Sequence, residues 1–326
     1  MILELSGADR EVLADAAATV DRDFVDAPEE FVLEAQVQAA RLSPGLRQAL
    51  LRFRRFGDPS GGLLIAGVPL GPVPATPMRA GSGETPNAAV TAMSVLLACL
   101  GDQYGFRPEL GGRIVQDIVP VRGFETQQIS IGSTTDLDSH VEMAFSEHRS
   151  DFVALLCARE DHDGEAGTTL SSIDRMLPRL SADTVGVLRS PRFRTRVDPS
   201  FRLGDDIDGD IWIEPIAVLR GPPERPRLRV DFAETEALDS GAAPALDEMR
   251  AVATDTREVF HLRPGELLVV DNHRAVHGRT PFVPRYDGAD RWLLRSFVRR
   301  DLAGSRDVRP DDGRIVEADY HPADAA

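Results

Sequence analysis

His140 and Glu142 stand two positions apart in the run Asp138-Ser139-His140-Val141-Glu142-Met143-Ala144-Phe145. Side chains alternate along an extended backbone, so an imidazole and a carboxylate at this spacing can point the same way. They offer a metal two ligands and leave it half bound. The best third ligand is His277, in Asp271-Asn272-His273-Arg274-Ala275-Val276-His277-Gly278-Arg279. Two histidines and one carboxylate on one face of a metal make the donor set that holds Fe(II) with positions left open for reactants. A lone His-x-Glu is a weak signal, and by itself it describes a solvated surface pair. His148, His162, His261, His273 and His321 are further candidates in principle.

The stretch after His277 adds to the case. Arg263-Pro264-Gly265-Glu266 is a turn feeding the apolar strand Leu267-Leu268-Val269-Val270. Arg291 and Arg295 then follow His277 by fourteen and eighteen residues, on Arg291-Trp292-Leu293-Leu294-Arg295. Four apart on a strand, they face the same side. Two inward guanidinium groups in an apolar strand need carboxylate partners, because an unpaired buried charge is costly. Internal Asp or Glu residues are one source of partners. The other is a pair of bound molecules, a dicarboxylic cosubstrate and a carboxylate substrate, each gripped in a bidentate fork.

The elements that must position these groups fall in two parts. Residues from about Ala8 to Arg55 read as helical, with Pro28 and Ser43-Pro44 at favoured starts. The third helix carries Leu46, Leu50, Leu51 and Phe53 on one stripe; its Arg52, Arg54 and Arg55 form either a solvated face or an anion site. Gly61 to Val68 reads as a short buried strand. Residues 69–86 hold five prolines and three glycines, a long loop of the kind that serves as a lid or is merely mobile. Asn87 to Leu100 is apolar nearly all round and predicts a buried helix. Strands are then predicted at Arg113–Val119, Gln127–Ile131, Asp151–Cys157, Thr168–Ile173, Ile211–Leu219, Arg227–Phe232, Glu266–Val270 and Arg291–Val298. Helical pattern interrupts only at Asp174–Leu188 and Pro244–Val259. A helical third leading into about eight strands predicts a mixed α+β fold, a helix-flanked sandwich or jelly roll in one domain.

Bulk properties exclude several classes. Acidic residues outnumber basic ones, 53 against 37, for a formal charge of −16. That opposes nucleic acid or an anionic membrane as partner, since both need clustered positive charge. No apolar run is long enough to span a bilayer, and the N-terminus lacks a secretory pattern. Cys99 and Cys157 lie in apolar runs and read as buried free thiols, which suits the cytoplasm.

Taken together, His140-Val141-Glu142-Met143-Ala144-Phe145, Asp151 to Cys157, and the stretch from His277 to Arg295 resemble the clavaminate synthase-like group of Fe(II)/2-oxoglutarate oxygenases. Within it the sequence is most similar to the free L-arginine and L-asparagine hydroxylases of peptide antibiotic biosynthesis. The likeness runs loosely from Glu30 to Leu302. Its most specific part is Gly278-Arg279-Thr280-Pro281-Phe282 with Arg285-Tyr286-Asp287-Gly288. It implies a double-stranded β-helix (jelly-roll) core at about 106–302, flanked by a helical N-terminal part (about 1–105) and inserted helices, with a tail at 303–326.

Residue by residue, the resemblance implies that His140, Glu142 and His277 bind iron. Arg291, helped by Thr169, would hold the distal carboxylate of 2-oxoglutarate, and Arg295 the substrate α-carboxylate. Glu109 would receive the substrate amine, and Asp231 would contact the polar end of the substrate side chain. A second acidic residue used by the arginine enzymes is Arg229 here, which puts arginine in doubt. Glu142 in place of the commoner Asp fits this subgroup and argues against halogenation. The implied reaction consumes Fe(II)-activated O2 and 2-oxoglutarate, releases succinate and CO2, and hydroxylates a free amino acid with a basic or amide side chain. Desaturation or cyclisation on the same iron site, and amino acid binding without redox chemistry, are the alternatives.

Overall fold

Period-two patterning in the strand Phe152–Arg159 shows how the protein is layered. Ala154 and Leu156 pack outward against helices, while Val153, Leu155 and Cys157 face inward. The same alternation splits Leu267 and Val269 from Leu268 and Val270 on the neighbouring strand Leu267–Asp271. A sheet with two buried faces must be covered on both sides. This computed structural model describes residues 1–201, 210–317 and 320. His321 and most of the end of the tail therefore lie outside the described residues.

The larger sheet runs Ile2–Glu4, Gly62–Ala66, Leu267–Asp271, Phe152–Arg159, Trp292–Arg299, Asp102–Phe106, Ile315–Val316, with Gln116–Ile118 also paired to Trp292–Arg299. The smaller sheet runs Glu258–Phe260, Thr168–Ser172, Ala275–Arg279, Leu137–His140. Leu170 and Ala275 of the smaller sheet meet Leu155, Leu268 and Leu293 of the larger one in a shared apolar layer. The eight-stranded sheet, antiparallel apart from its pairs Ile2–Glu4 with Gly62–Ala66 and Asp102–Phe106 with Ile315–Val316, closes with the four-stranded antiparallel sheet over this layer to form a jelly roll.

Helices α1 (Gly7–Thr19), α2 (Pro28–Ala39), α3 (Pro44–Phe56) and α4 (Asn87–Leu97) cover the outer face of the larger sheet. Ser6 and Ser43 cap α1 and α3 by accepting from the amides of Asp9 and Leu46. Gly57, at φ 67°, ends α3 in the left-handed region that glycine tolerates. Between Thr168–Ser172 and Glu258–Phe260 the chain inserts short helices, a three-stranded sheet and the helix Ala243–Thr256, which packs behind the smaller sheet.

Two expectations change. Gln127–Ile131 forms no strand; its amides close turns, with Gln127 N bonding Phe124 O and Gly132 N bonding Ile129 O. Gln128 instead ties this loop to the chain before His140, through Asp136 O and Asp138 N. The second change lies at Asp102–Phe106, a strand within what reads as the helical third. The loop 69–86 is held by Arg159, which donates to Thr76 Oγ1 and the Pro74 carbonyl. Cys99 and Cys157 are free and buried.

Candidate active site

His140 and His277 are directly opposite one another across an antiparallel strand pair. Opposed residues share a face, so both rings project into the jelly roll, with centroids 4.5 Å apart. Gly278 lets the strands meet this closely, because a Cβ there would fall 2.3 Å from the Leu137 carbonyl oxygen. Glu142 follows on a turn in which Met143 takes φ 54°. Its Oε2 lies 3.3 Å from His277 Nε2 and 3.9 Å from His140 Nε2. The ligand atoms of the three residues all lie within 4.8 Å of one another. A first-row divalent metal fits such a cluster of two imidazoles and one carboxylate.

The electrostatics fit as well. Burial acts to raise the Glu142 carboxyl, but Arg295 and the two imidazoles outweigh it and hold the group well below the usual carboxylate range. Burial, followed by the neighbouring His140, lowers His277. An ionised carboxylate beside a neutral imidazole is the protonation state that metal ligation needs.

Asn272 fixes the turn that carries Glu142. It accepts from the Glu142 amide at 2.7 Å and donates to the Glu142 and Ser150 carbonyls at 3.1 and 3.0 Å. Asn272→Ala is expected to cost about 1–3 kcal/mol for each buried group left unpaired. Urea unfolding together with iron titration checks this; an unchanged iron affinity would mean that the turn holds itself.

Arg295 lies across the larger sheet from Gln116, so the inner faces of both sheets meet at Glu142. Its Nη1 donates to Glu142 Oε1 at 2.6 Å, its Nη2 to Glu109 Oε2 at 2.9 Å, and its Nε to Gln116 Oε1 at 3.0 Å. Gln116 Nε2 donates in turn to Glu109 Oε2. Burial raises the Glu109 carboxyl against the opposing pull of Arg295. The backbones of Asp231 and His140 form an isolated antiparallel bridge, and the Asp231 carboxylate accepts from the amides of Ala233 and Glu234. Burial raises its carboxyl, with His140 opposing. Glu109, His140, Glu142, Asp231 and Arg295 line one cavity of about 430 Å3, together with Gln127, Gln128 and Ser130 of the unpaired loop.

Arg291 is different. It is 6% exposed, and its Nη2 donates to Thr168 Oγ1 at 3.2 Å. No carboxylate among the described residues pairs with it, whereas Arg295 has two. Burial pulls the guanidinium below its ordinary pKa, with Cys157 and Asp161 opposing. An orphaned fork of this kind fits the carboxylate of a bound molecule. The threonine that Arg291 meets is Thr168 and not Thr169, the one expected beside it. Alternation turns Thr168 and Leu170 inward with Arg279 and His277, and turns Thr169 outward with Gly278.

Other residues resolve differently. Arg229 is buried and donates to the Ala144 and Phe145 carbonyls at 2.7 and 3.0 Å, and it pairs with Glu147. It braces the turn after Glu142 and leaves Asp231 without an acidic companion at that position. His273 binds Asp151, and His162 clamps Asp287 at 3.1 Å. Gln116 and Asn272 had no signal in the sequence. A strand pattern shows which residues face inward, but it does not show which of them meet.

The family model "Taurine catabolism dioxygenase TauD, TfdA family" matches residues 83–297. The L-asparagine oxygenase of Streptomyces coelicolor is 46% identical over 281 residues, covering 85% of this chain and 83% of that protein. The L-lysine 3-hydroxylase of Catenulispora acidiphila is 36% identical over 329 residues, covering 98% and 89%. A solved structure of asparagine oxygenase in complex with Fe(II), 2S,3S-3-hydroxyasparagine and succinate matches with TM-score 0.89 at 40% identity, covering 97% of this chain and 99% of that one. Likeness of this extent, over a site whose residues fit a metal, places the chain in the taurine catabolism dioxygenase TauD, TfdA family, as an oxygenase that uses Fe(II), 2-oxoglutarate and O2.

Proposed function

We propose that the chain, read as one oxygenase domain over 1–326 with its helices as flanking scaffold, hydroxylates an unactivated C–H bond of a free L-amino acid. The observation that carries this reading is the His140–Glu142–His277 cluster opening onto the cavity that Arg295, Glu109 and Asp231 line. His140, Glu142 and His277 hold the iron. When bound, it supplies the dioxygen activation that couples decarboxylation of 2-oxoglutarate, to succinate and CO2, with hydroxylation. Arg291 and Thr168 hold the distal carboxylate of 2-oxoglutarate.

On the substrate side, the α-carboxylate displaces internal partners from the Arg295 fork, which Glu142, Glu109 and Gln116 fill in this structure, and the released Glu109 receives the α-ammonium. Asp231 takes the far end of the side chain. Three fixed points decide which C–H bond faces the iron, and such positioning is a large part of catalysis. A basic or amide side chain satisfies Asp231. An apolar one leaves it unpaired, at roughly 1–3 kcal/mol or more for a charge. With Arg229 turned away, one carboxylate rather than two meets that end. We place the enzyme in the cytoplasm, supplying a hydroxy amino acid to peptide antibiotic assembly. No helix among the described residues is long and apolar enough to cross a membrane.

The test is a panel of the standard amino acids with ornithine and citrulline, read by Fe(II)-dependent succinate release. One basic or amide member should stand well above the rest. Binding of an amino acid without succinate from any member would favour a sensor. Arg295→Lys keeps the charge and loses the fork, so it should raise the amino acid KM by about tenfold or more while the 2-oxoglutarate KM moves little. Equal changes in both constants would remove Arg295 from the substrate side.

A further inference from the structure

Arg279 lies two residues past His277 on the same strand and is 4% exposed. Its guanidinium donates to the Gly132 carbonyl, and to the Thr135 and Thr280 carbonyls at 2.8 and 3.3 Å. The first two belong to the segment 121–136, whose Gln127, Gln128 and Ser130 line the cavity. On its other side Arg279 borders Arg291. Thr168, which accepts from Arg291, is its cross-strand partner. The two guanidinium carbons lie 5.4 and 5.9 Å from the ring centroid of one residue, Phe282. Asp136, the acidic group nearby, is paired with Arg257 at 3.2 Å.

We propose that Arg279 is a positioning residue that couples binding of a dicarboxylate at the Arg291 guanidinium to the hold on the segment 121–136 over the amino acid cavity. The proposal rests on Arg291 being the 2-oxoglutarate anchor. Two buried cations sharing one aromatic ring repel each other in a medium of low dielectric. Arg279 is held against that repulsion by three carbonyl dipoles and the Phe282 ring, with Asp136 adding attraction from beyond hydrogen-bond reach. A carboxylate arriving at Arg291 offsets the second charge and strengthens the grip of Arg279 on Gly132 and Thr135. The loop that covers the substrate is then held more firmly once the cosubstrate is in place. Linkage makes the effect reciprocal, so each ligand binds better in the presence of the other.

Hydrogen exchange of residues 121–136 tests this, on the full chain loaded with Mn(II) as a redox-silent substitute for Fe(II), with and without 2-oxoglutarate. In the wild-type protein the cosubstrate should slow exchange in this segment by about fivefold or more. In Arg279→Gln the slowing should vanish while the 2-oxoglutarate Kd stays within about threefold of wild type. The amino acid KM of its iron form should rise about tenfold, the loss expected for a charge-assisted bond. Arg279→Lys keeps the cation without the fork and should respond only partly, which covers a failure of the glutamine variant to fold. Unchanged exchange in the Phe152–Arg159 strand shows that the fold is intact. Slowing in Arg279→Gln equal to wild type, or no slowing in the wild-type protein, would overturn the coupling. If Arg291→Gln binds 2-oxoglutarate as tightly as wild type, the anchor assignment fails instead.

Discussion

Glu142→Ala should abolish detectable succinate formation and weaken iron binding by more than the 10–100-fold lost when an outer hydrogen-bond partner of a ligand is removed. The two imidazoles remain, but the anionic donor is gone. The substitution also leaves Arg295 with Glu109 as its one remaining carboxylate partner among the described residues, and removing one member of a buried ion pair is strongly destabilising. Thermal unfolding should therefore fall as well, so iron affinity must be measured on the folded fraction. Competition with a chromophoric chelator gives that affinity, and succinate release gives turnover. Full activity in Glu142→Ala would show that the ligand assignment is wrong.

Arg291→Gln should raise the 2-oxoglutarate KM by about 10–150-fold, since bonds to charged groups contribute roughly 1.5–3 kcal/mol. The amino acid KM should change far less, because Arg295 and not Arg291 reaches the cavity. The threonine pair sharpens the test. Thr168→Val removes the hydroxyl that Arg291 meets at 3.2 Å and should raise the same constant by a smaller factor. Thr169→Val acts on the opposite face of the strand and should leave it nearly unchanged. Steady-state constants for both substrates decide the matter. Equal effects from the two threonines would contradict the inward placement of Thr168.

Period two and residue chemistry carried the sequence a long way. His140 and Glu142 could be paired by spacing because both lie on or beside one strand, and His277 because an apolar strand and turn precede it. The structure brings these three together with Arg295, Glu109 and Asp231. Phase was harder to read. Thr168 and Thr169 are identical in type, and only the register with Arg279 and Gly278 tells inward from outward.

Gln127–Ile131 has strand-like composition but no partner, and pairing is a non-local property that a short window does not hold. Arg291 and Arg295 posed the same alternatives in sequence, and the structure separates them: Arg295 pairs with two internal carboxylates, and Arg291 with none among the described residues. Gln116 and Asn272 stayed hidden because a satisfied polar network leaves no local pattern; each works through a residue more than a hundred positions away. The lining loop was hidden for a related reason, since its shape depends on Gln128 bonding the chain ahead of His140.

The central claim is that 2-oxoglutarate and a free amino acid meet at one Fe(II), and that dioxygen oxidises both, decarboxylating the first and hydroxylating the second. The most direct test measures succinate and the amino acid product in the same reaction under 18O-labelled dioxygen. The account predicts equal amounts of succinate and of a product heavier by one labelled oxygen, about 18 mass units. A product lighter by about two hydrogens would replace hydroxylation with desaturation. Succinate formed with no change in any amino acid would contradict the claim.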